Sequence, residues 1–230
     1  MIAAWLVHLY TASSAVMGLL AAANVFESDY ERAFLWLFAT TFVDATDGWL
    51  ARWARVSERL PSVDGALLDN IVDYLTYVFV PALLVWQALI VPDSWSTGVC
   101  AAMLLSSAYG FSQAQAKTDD HFFTGFPSYW NIVVFYLYAA EWPPMVNAAV
   151  LSALSLLVFV PIRYVYPSRT PVLRPLTVTL GALWAAALLV LMLQGRDASR
   201  TLLWASLLFP VYYVVLSLVL NARRRRPQAA

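Results

Sequence analysis

The sequence predicts an all-α protein that crosses a membrane eight times, with its N- and C-termini in the cytoplasm. Hydrophobic residues make up 61% of the 230 residues and charged residues 12%, against roughly 45–50% and ~25% in soluble domains. The apolar residues form runs close to the ~20 residues that span a bilayer. Basic residues collect on one side of these runs. No long polar segment interrupts them, so we expect one membrane domain over residues 1–230.

The predicted spans follow one another with short connections. In order, they are 2–24, 32–52, 66–91, 96–115, 128–142, 144–163, 175–194 and 201–220. The first lacks a basic leader and predicts a retained helix rather than a signal peptide. In the third, Ser62 follows Pro61 and is expected to cap the helix, with Asp64 in its first turn. The fifth is the weakest, because it is short and has prolines near both ends.

Basic residues indicate the orientation. With eight crossings, eleven of the 14 Lys and Arg residues lie on one side and three on the other. The eleven are Arg52, Arg55, Arg59, Lys117, Arg163, Arg169, Arg174 and Arg223 to Arg226, and the three are Arg32, Arg196 and Arg200. If the fifth span dipped into the membrane and returned, the split would be six against eight. The positive-inside rule therefore favours eight crossings with cytoplasmic termini.

Composition also excludes several classes of protein. The formal net charge is zero, which argues against a general nucleic-acid binder. Cys100 is the only cysteine and lies in an apolar run, so a disulfide scaffold is excluded. A multi-span protein of the lipid bilayer remains.

Four aspartates lie inside predicted spans. Asp44 and Asp47 belong to the second span, and Asp69 and Asp73 to the third. Charged groups in hydrocarbon cost several kcal/mol, so such residues indicate function. Separations of three and four residues place each pair on one helix face. We therefore expect an acidic cluster between two antiparallel helices.

Small residues accompany these acids. Gly48 and Ala51 continue the stripe of Asp44, and Gly65 lies four residues before Asp69. Side chains this small leave a cleft beside the carboxylates. Arg52 lies at the cytoplasmic rim of that cleft, where a guanidinium can hold a phosphate oxygen.

Four facing carboxylates repel one another unless they take up protons or bind cations. An oxygen ligand set without His or Cys favours Mg²⁺ or Mn²⁺ over zinc. Two divalent ions about 3.5–4 Å apart would form a clamp for phosphoryl transfer. The alternatives are polar contacts between helices and a cation or proton transporter that uses the same aspartates.

The motif Asp44-x2-Asp47-Gly48-x2-Ala51-Arg52-x12-Gly65-x3-Asp69-x3-Asp73 resembles the signature of the CDP-alcohol phosphotransferase family. Every fixed position of that signature is present. The spacer at 53–64 is longer than in most members and is the form found in bacterial phosphatidylcholine synthases. The segment Gly125-Phe126-Pro127-Ser128-Tyr129-Trp130-Asn131 is also similar to that branch.

The resemblance implies an enzyme that joins CDP-diacylglycerol and choline, with Mn²⁺ or Mg²⁺, to give phosphatidylcholine and CMP. It implies that Asp44, Asp47 and Asp69 are metal ligands and that Asp73 is a ligand or the catalytic base. The residues implied for the CDP pocket are Gly48, Ala51, Arg52 and Gly65. It further implies a homodimer in the bacterial cytoplasmic (inner) membrane, with the active site facing the cytoplasm. The same-family alternative is another acceptor, such as inositol phosphate, serine or glycerol phosphate.

Two weaker expectations concern substrate contacts. His8 and Thr11 share a helix face, and in many family members an Asn-x2-Thr there approaches the nucleotide; the alternative is a hydrogen bond between helices. Choline carries a quaternary ammonium, which aromatic faces attract. An aromatic group at 122–130 lies at the cytoplasmic entry of the fifth span, and Tyr129, Trp130 and Asn131 are the expected choline contacts. The alternative for these aromatics is an interfacial belt.

Overall fold

A computed structural model describes residues 1–113, 122–167 and 170–225 of the chain. Within these ranges the protein is almost wholly helical, which confirms the predicted all-α class. The described residues also contain one sheet of two short strands, which the sequence did not predict. The predicted topology charges Lys117, Arg169 and Arg226 lie outside the described residues.

Long and short helices follow one another along the chain. The first half contains α1 (Ile2–Phe26), α2 (Tyr30–Trp53), α3 (Val56–Arg59), α4 (Gly65–Asp73), a π-helical segment (Tyr74–Phe79), α5 (Val80–Gln87) and α6 (Asp93–Ser112). The second half contains β1 (Phe122–Thr124), α7 (Trp130–Ala140), α8 (Pro144–Leu157), β2 (Arg163–Val165), α9 (Arg174–Gln194), a 3₁₀ turn (Gly195–Asp197), α10 (Arg200–Ser206) and α11 (Leu208–Arg225).

Among the described residues, four helical segments are both long and apolar enough to cross a membrane. They are Ile2–Phe26, Gly65–Gln87, Arg174–Gln194 and Arg200–Arg223. Helix α2 is also 24 residues long, but it has charged residues near both ends and carries Asp44 and Asp47 of the motif. Helices α7 and α8 have 11 and 14 residues. At 1.5 Å per residue they extend about 17 and 21 Å, less than a hydrocarbon core of ~30 Å.

The loops that follow α1, α5, α7 and α9 meet at one end of the bundle, called here the turn end. The Tyr30 hydroxyl donates a hydrogen bond to the carbonyl oxygen of Gln87 at 3.1 Å. Asn147 Nδ2 donates to the carbonyl of Ile90 at 2.9 Å. Arg200 donates to the carbonyl of Ala139 at 3.0 Å and pairs with Glu141. These bonds tie successive loops together, at the end of the bundle away from the motif aspartates.

The two-stranded sheet lies at the opposite end, called here the sheet end. Strands β1 and β2 are antiparallel, with Phe122 opposite Val165. Gly125 follows β1 with φ +81°, and its N–H donates to the carbonyl of Ile162 at 2.9 Å. A Cβ at Gly125 would lie 2.2 Å from the carbonyl oxygen of Val158, so only glycine fits. The chain thus leaves the sheet end through α7 and returns to it through α8.

The core lies between α1, α2, the helix 65–87 and helices α6 to α10. Trp130 and Phe34 are among the largest fully buried side chains. Gly18 lets α1 approach the π segment, since a Cβ there would lie 3.2 Å from Thr76 Cγ2. Close approach through small residues is typical of membrane helices, where packing replaces the hydrophobic effect. Large side chains such as Leu19 and Leu105 are exposed on the outside, as a lipid-facing surface requires.

Candidate active site

Three of the four motif aspartates converge between α2 and α4. Asp44, Asp47 and Asp69 each offer a carboxylate oxygen, and these oxygens lie within 4.8 Å of one another. Asp47 is buried, while Asp44 and Asp69 are half-buried. Asp73 lies one helical turn beyond Asp69, outside this three-acid group but close enough to interact electrostatically with Tyr77 and Tyr129.

The start of α4 sets the position of Asp69. The helix begins at Gly65, and the Asp64 side chain accepts hydrogen bonds from the N–H groups of Ala66 and Leu67, both at 3.0 Å. Asp64 is therefore the N-cap, and the prediction that Ser62 caps this helix was wrong. A carboxylate accepts two of the free N–H groups of the first turn and also favours the helix dipole.

The π segment follows Asp73 directly. The backbone N–H of Val80 donates to the carbonyl of Leu75, five residues earlier. Pro81 explains this departure, because proline has no N–H and its ring would clash with the Tyr77 carbonyl of a regular α-helix. Tyr77 lies in the π segment, and its hydroxyl donates to Asp44 Oδ2 at 2.8 Å. Sequence reasoning missed Tyr77, although it continues the four-residue spacing of Gly65, Asp69 and Asp73.

Helix α1 closes one side of the acidic group. The Thr11 hydroxyl donates to Asp47 Oδ2 at 2.7 Å, so Thr11 makes a hydrogen bond between helices. His8 lies one turn earlier and is buried against the start of α4, where a Cβ at Gly65 would lie 3.2 Å from His8 Cε1. Among the described residues, His8 Nε2 has no hydrogen-bond partner.

Helix α2 carries the remaining motif residues toward the sheet end. Gly48 and Ala51 are half-buried, and Arg52 is exposed. The Arg52 guanidinium folds back along the helix, since its Nη1 lies 3.4 Å from where a Cβ of Gly48 would stand. Ala51 packs against a small apolar cluster that joins α1 to α3. Arg52 therefore lies between solvent and the acidic group.

The three expected choline contacts occupy different environments. Tyr129 is half-buried, and its ring centroid lies 6.1 Å from that of Tyr77. Trp130 is fully buried and donates through Nε1 to Ser107 Oγ at 2.7 Å. Asn131 is buried and donates to Thr41 Oγ1 at 2.9 Å, on the helix that carries Asp44. Of the three, Tyr129 keeps exposed surface beside the acids.

The three-acid group fits a hard divalent cation. Oxygens that coordinate Mg²⁺ at about 2.0–2.1 Å in an octahedron are separated by roughly 3–4 Å, so carboxylate oxygens within 4.8 Å of one another need only small side-chain adjustments. Carboxylates this close would otherwise repel one another. Thr11 and Tyr77 each engage one oxygen of a carboxylate, which orients the acids as outer hydrogen-bond donors do in metal sites.

Known proteins are similar to this chain over most of its length. The family model for CDP-alcohol phosphatidyltransferase matches residues 5–161, which include all four motif aspartates. A phosphatidylcholine synthase of Legionella pneumophila is 45% identical over 89% of this chain and 82% of its own length. Phosphatidylcholine synthases of Borreliella burgdorferi and Pseudomonas aeruginosa are each 33% identical, over 95% and 96% of this chain and 93% and 92% of their own lengths. The chain belongs to the CDP-alcohol phosphatidyltransferase family.

Proposed function

We propose that this protein is a phosphatidylcholine synthase, which transfers the phosphatidyl group of CDP-diacylglycerol to choline and releases CMP. The observation that carries the proposal is the convergence of Asp44, Asp47 and Asp69 at the family motif. The relatives that match over nearly the whole chain are phosphatidylcholine synthases, which favours choline as the acceptor.

Asp44, Asp47 and Asp69 would hold Mn²⁺ or Mg²⁺, with Asp73 as a further ligand if two ions bind. The donor set supports this, since it consists of carboxylate oxygens within reach of one ion. When bound, the metal supplies positive charge that stabilises the pyrophosphate of CDP-diacylglycerol.

Asp73 is the proposed base. The hydroxyl oxygen of choline forms a bond to the phosphorus that carries diacylglycerol, and the bond from that phosphorus to the bridging oxygen breaks. CMP leaves with this oxygen, and the hydroxyl proton passes to the Asp73 carboxylate. Asp73 lies one turn beyond Asp69, so a base beside the ligands is available on the same helix. Positioning and charge stabilisation supply most of the rate in phosphoryl transfer.

The CDP moiety would bind between α1, the end of α2 and the start of α4, against His8, Thr11, Gly48, Ala51, Arg52 and Gly65. His8 supports this position, because a buried nitrogen without a partner is costly and a polar ligand atom would provide one. Arg52 is folded over Gly48 and is placed to meet a phosphate that enters from the sheet end. Thr11 would act through Asp47, which it already contacts.

Choline would approach from the side of Tyr129, which has exposed surface beside Asp44 and Asp73. Trp130 and Asn131 would support this segment from the core, through their hydrogen bonds to Ser107 and Thr41. An aromatic face is suited to a quaternary ammonium, which donates no hydrogen bond.

We propose eight crossings, with both termini and the active site facing the cytoplasm of a bacterial inner membrane. The pairing of β1 with β2 supports an even number of crossings between them, because both strands must lie on one side. If the fifth span dipped into the membrane and returned, only the sixth span would cross between the strands, and β1 and β2 would lie on opposite sides. Among the residues that the structure describes, the arginines at the sheet end include Arg52, Arg55, Arg59, Arg163 and Arg174. Those at the turn end include Arg32 and Arg200. An excess of arginine at the sheet end is in keeping with the positive-inside rule if that end is cytoplasmic. A homodimer is proposed from the family resemblance alone.

Product formation by purified protein tests the function. With CDP-diacylglycerol, labelled choline and Mn²⁺, we expect labelled phosphatidylcholine and CMP in equal amounts. EDTA and Asp69→Asn should each abolish both products, whereas Asp93→Asn, an exposed acid at the turn end, should not. Turnover only with serine, inositol phosphate or glycerol phosphate would replace choline as the acceptor. Ion flux across sealed vesicles without CMP release would refute the enzyme and favour a transporter.

A further inference from the structure

Four tyrosines from four separate segments meet beside the acidic group, and the mechanism above gives only Tyr129 a contact with substrate. Tyr77 belongs to the π segment, Tyr129 precedes α7, Tyr166 follows β2 and Tyr213 lies on α11. The rings of Tyr77 and Tyr129 are 6.1 Å apart, and Tyr129 interacts electrostatically with both Tyr166 and Tyr213. These four residues are called the tyrosine cluster.

The fold fixes the rings of the cluster from behind. The Tyr77 hydroxyl is held by Asp44 Oδ2 at 2.8 Å. On the opposite wall, the buried ring of Tyr164 on β2 stacks on Tyr213, with centroids 6.2 Å apart and planes 16° from parallel. The N–H of Val165 donates to Ser217 Oγ at 3.0 Å, which ties the same strand to α11. The rings of Tyr77 and Tyr213 are thus held in position by the protein itself, before any ligand binds.

Negative charge lies next to these faces. Asp44 and Asp73 both interact electrostatically with Tyr77 and Tyr129. Aromatic faces combined with nearby carboxylates attract an organic cation more strongly than either group alone. Tyr129, Tyr166 and Tyr213 are only half-buried, so each keeps surface that a small ligand can cover.

The Tyr213 hydroxyl points to a ligand independently of the rings. Its oxygen is buried and interacts with the Tyr129 hydroxyl, but it has no hydrogen-bond partner of standard geometry in the described part of the chain. Such a group is costly unless something polar comes to it, and a bound alcohol carries a hydroxyl that would do so. A cation that is also an alcohol therefore matches both the faces and the hydroxyl.

We propose that Tyr77, Tyr129, Tyr166 and Tyr213 bind the quaternary ammonium of the acceptor alcohol and set its selectivity over amino alcohols with fewer N-methyl groups. The inference rests on the proposed function and deepens it by naming the acceptor site. A trimethylammonium group is large, weakly hydrated and unable to donate a hydrogen bond, so ring faces suit it. Ethanolamine keeps three N–H donors and a tightly bound hydration shell, which ring faces do not replace.

Steady-state kinetics of purified variants test the proposal. In Tyr129→Leu and Tyr166→Leu the ring face is lost, and the KM for choline should rise about 2- to 30-fold, as expected for one cation–π contact. The KM for CDP-diacylglycerol should stay at the wild-type value, which also shows that the variants fold. Tyr129→Phe and Tyr166→Phe keep the face and should keep the choline KM. The kcat/KM preference for choline over ethanolamine should fall in the leucine variants alone.

Tyr212→Leu is the matched control. Tyr212 is the neighbour of Tyr213 on α11, but its hydroxyl bonds Thr177 at 2.8 Å and its ring packs near Phe209, outside the cluster. It should leave the choline KM and the preference unchanged. The proposal is overturned if the leucine variants keep the choline KM, if choline and CDP-diacylglycerol affinities fall together, or if Tyr212→Leu has the same effect.

Equilibrium binding of labelled choline separates this inference from the proposed function. If wild-type protein binds choline in a Tyr129-dependent way yet releases no CMP, the proposed function fails and the ammonium site stands. If it makes phosphatidylcholine without dependence on the cluster, the function stands and the ammonium site fails.

Discussion

The hydrogen bond from Thr11 to Asp47 provides a sharp test of the acidic group as a metal site. Thr11 and Asp47 are both buried, at 8% and 7% exposure, and the hydroxyl lies 2.7 Å from Asp47 Oδ2. Thr11→Val keeps the shape of the side chain but removes the donor. A buried charged oxygen that loses its partner costs about 1–3 kcal/mol, and outer partners of metal ligands are typically worth about 10- to 100-fold in metal affinity.

We therefore expect the Mn²⁺ concentration for half-maximal CMP release to rise about 10- to 100-fold in Thr11→Val. The rate at saturating Mn²⁺ should stay close to that of the wild type, because Thr11 does not take part in the reaction. The assay is CMP release at fixed CDP-diacylglycerol and choline over a Mn²⁺ titration.

Two variants control this experiment. Thr11→Ser keeps the hydroxyl and should restore the wild-type Mn²⁺ dependence. Thr40→Val also removes a buried helical hydroxyl, but within the described residues this hydroxyl bonds the carbonyl of Leu37 on its own helix, at 2.8 Å, so no shift is expected. A wild-type response of Thr11→Val to Mn²⁺, or an equal shift in Thr40→Val, would refute the role of Thr11 in orienting a metal ligand.

Three further predictions follow from named contacts. Asp73→Asn should abolish turnover while CDP-diacylglycerol binding, measured by equilibrium dialysis, falls much less; equal losses would assign Asp73 to metal binding alone. Gly65→Ala should displace His8, because the new methyl would lie 3.2 Å from His8 Cε1. We expect a higher KM for CDP-diacylglycerol with little change in thermal stability, and an unchanged KM would remove His8 from the pocket. Gly125→Ala should destabilise the protein by more than ~1 kcal/mol, because the methyl would lie 2.2 Å from the Val158 carbonyl oxygen and Gly125 has a positive φ. Thermal unfolding of this variant in detergent at the wild-type temperature would contradict this.

The acidic group could be predicted from the sequence because helices of fixed period carry it. Four aspartates at separations of three and four residues must share helix faces, and a short connection must bring the two helices side by side. The structure brings Asp44, Asp47 and Asp69 together in this way. Long apolar runs likewise predict helices whose ends differ by up to six residues from those observed, although the run at 201–220 is divided into α10 and α11.

Features that depend on contacts distant in sequence could not be predicted. The strands at 122–124 and 163–165 are too short to show a period, and only their pairing creates them. Tyr166 and Tyr213 reach Tyr129 because β2 packs on α11, which no local pattern reveals. The cap at Asp64 was missed for a different reason, since Ser62 and Asp64 are both good caps and the choice depends on where the chain turns into α4.

The π segment separates two demands that would conflict in a uniform helix. Upstream, Asp69 must face Asp44 and Asp47 of α2, and downstream, Leu84 and Val85 must point into the protein interior. The wider turns at Tyr74–Phe79 reset the angular phase between these halves. Deleting one residue there would leave a continuous helix but rotate α5 by about 100° relative to α4. The number of residues in this stretch is thus a stricter requirement than their identity, and a one-residue deletion should do more harm than most substitutions within it.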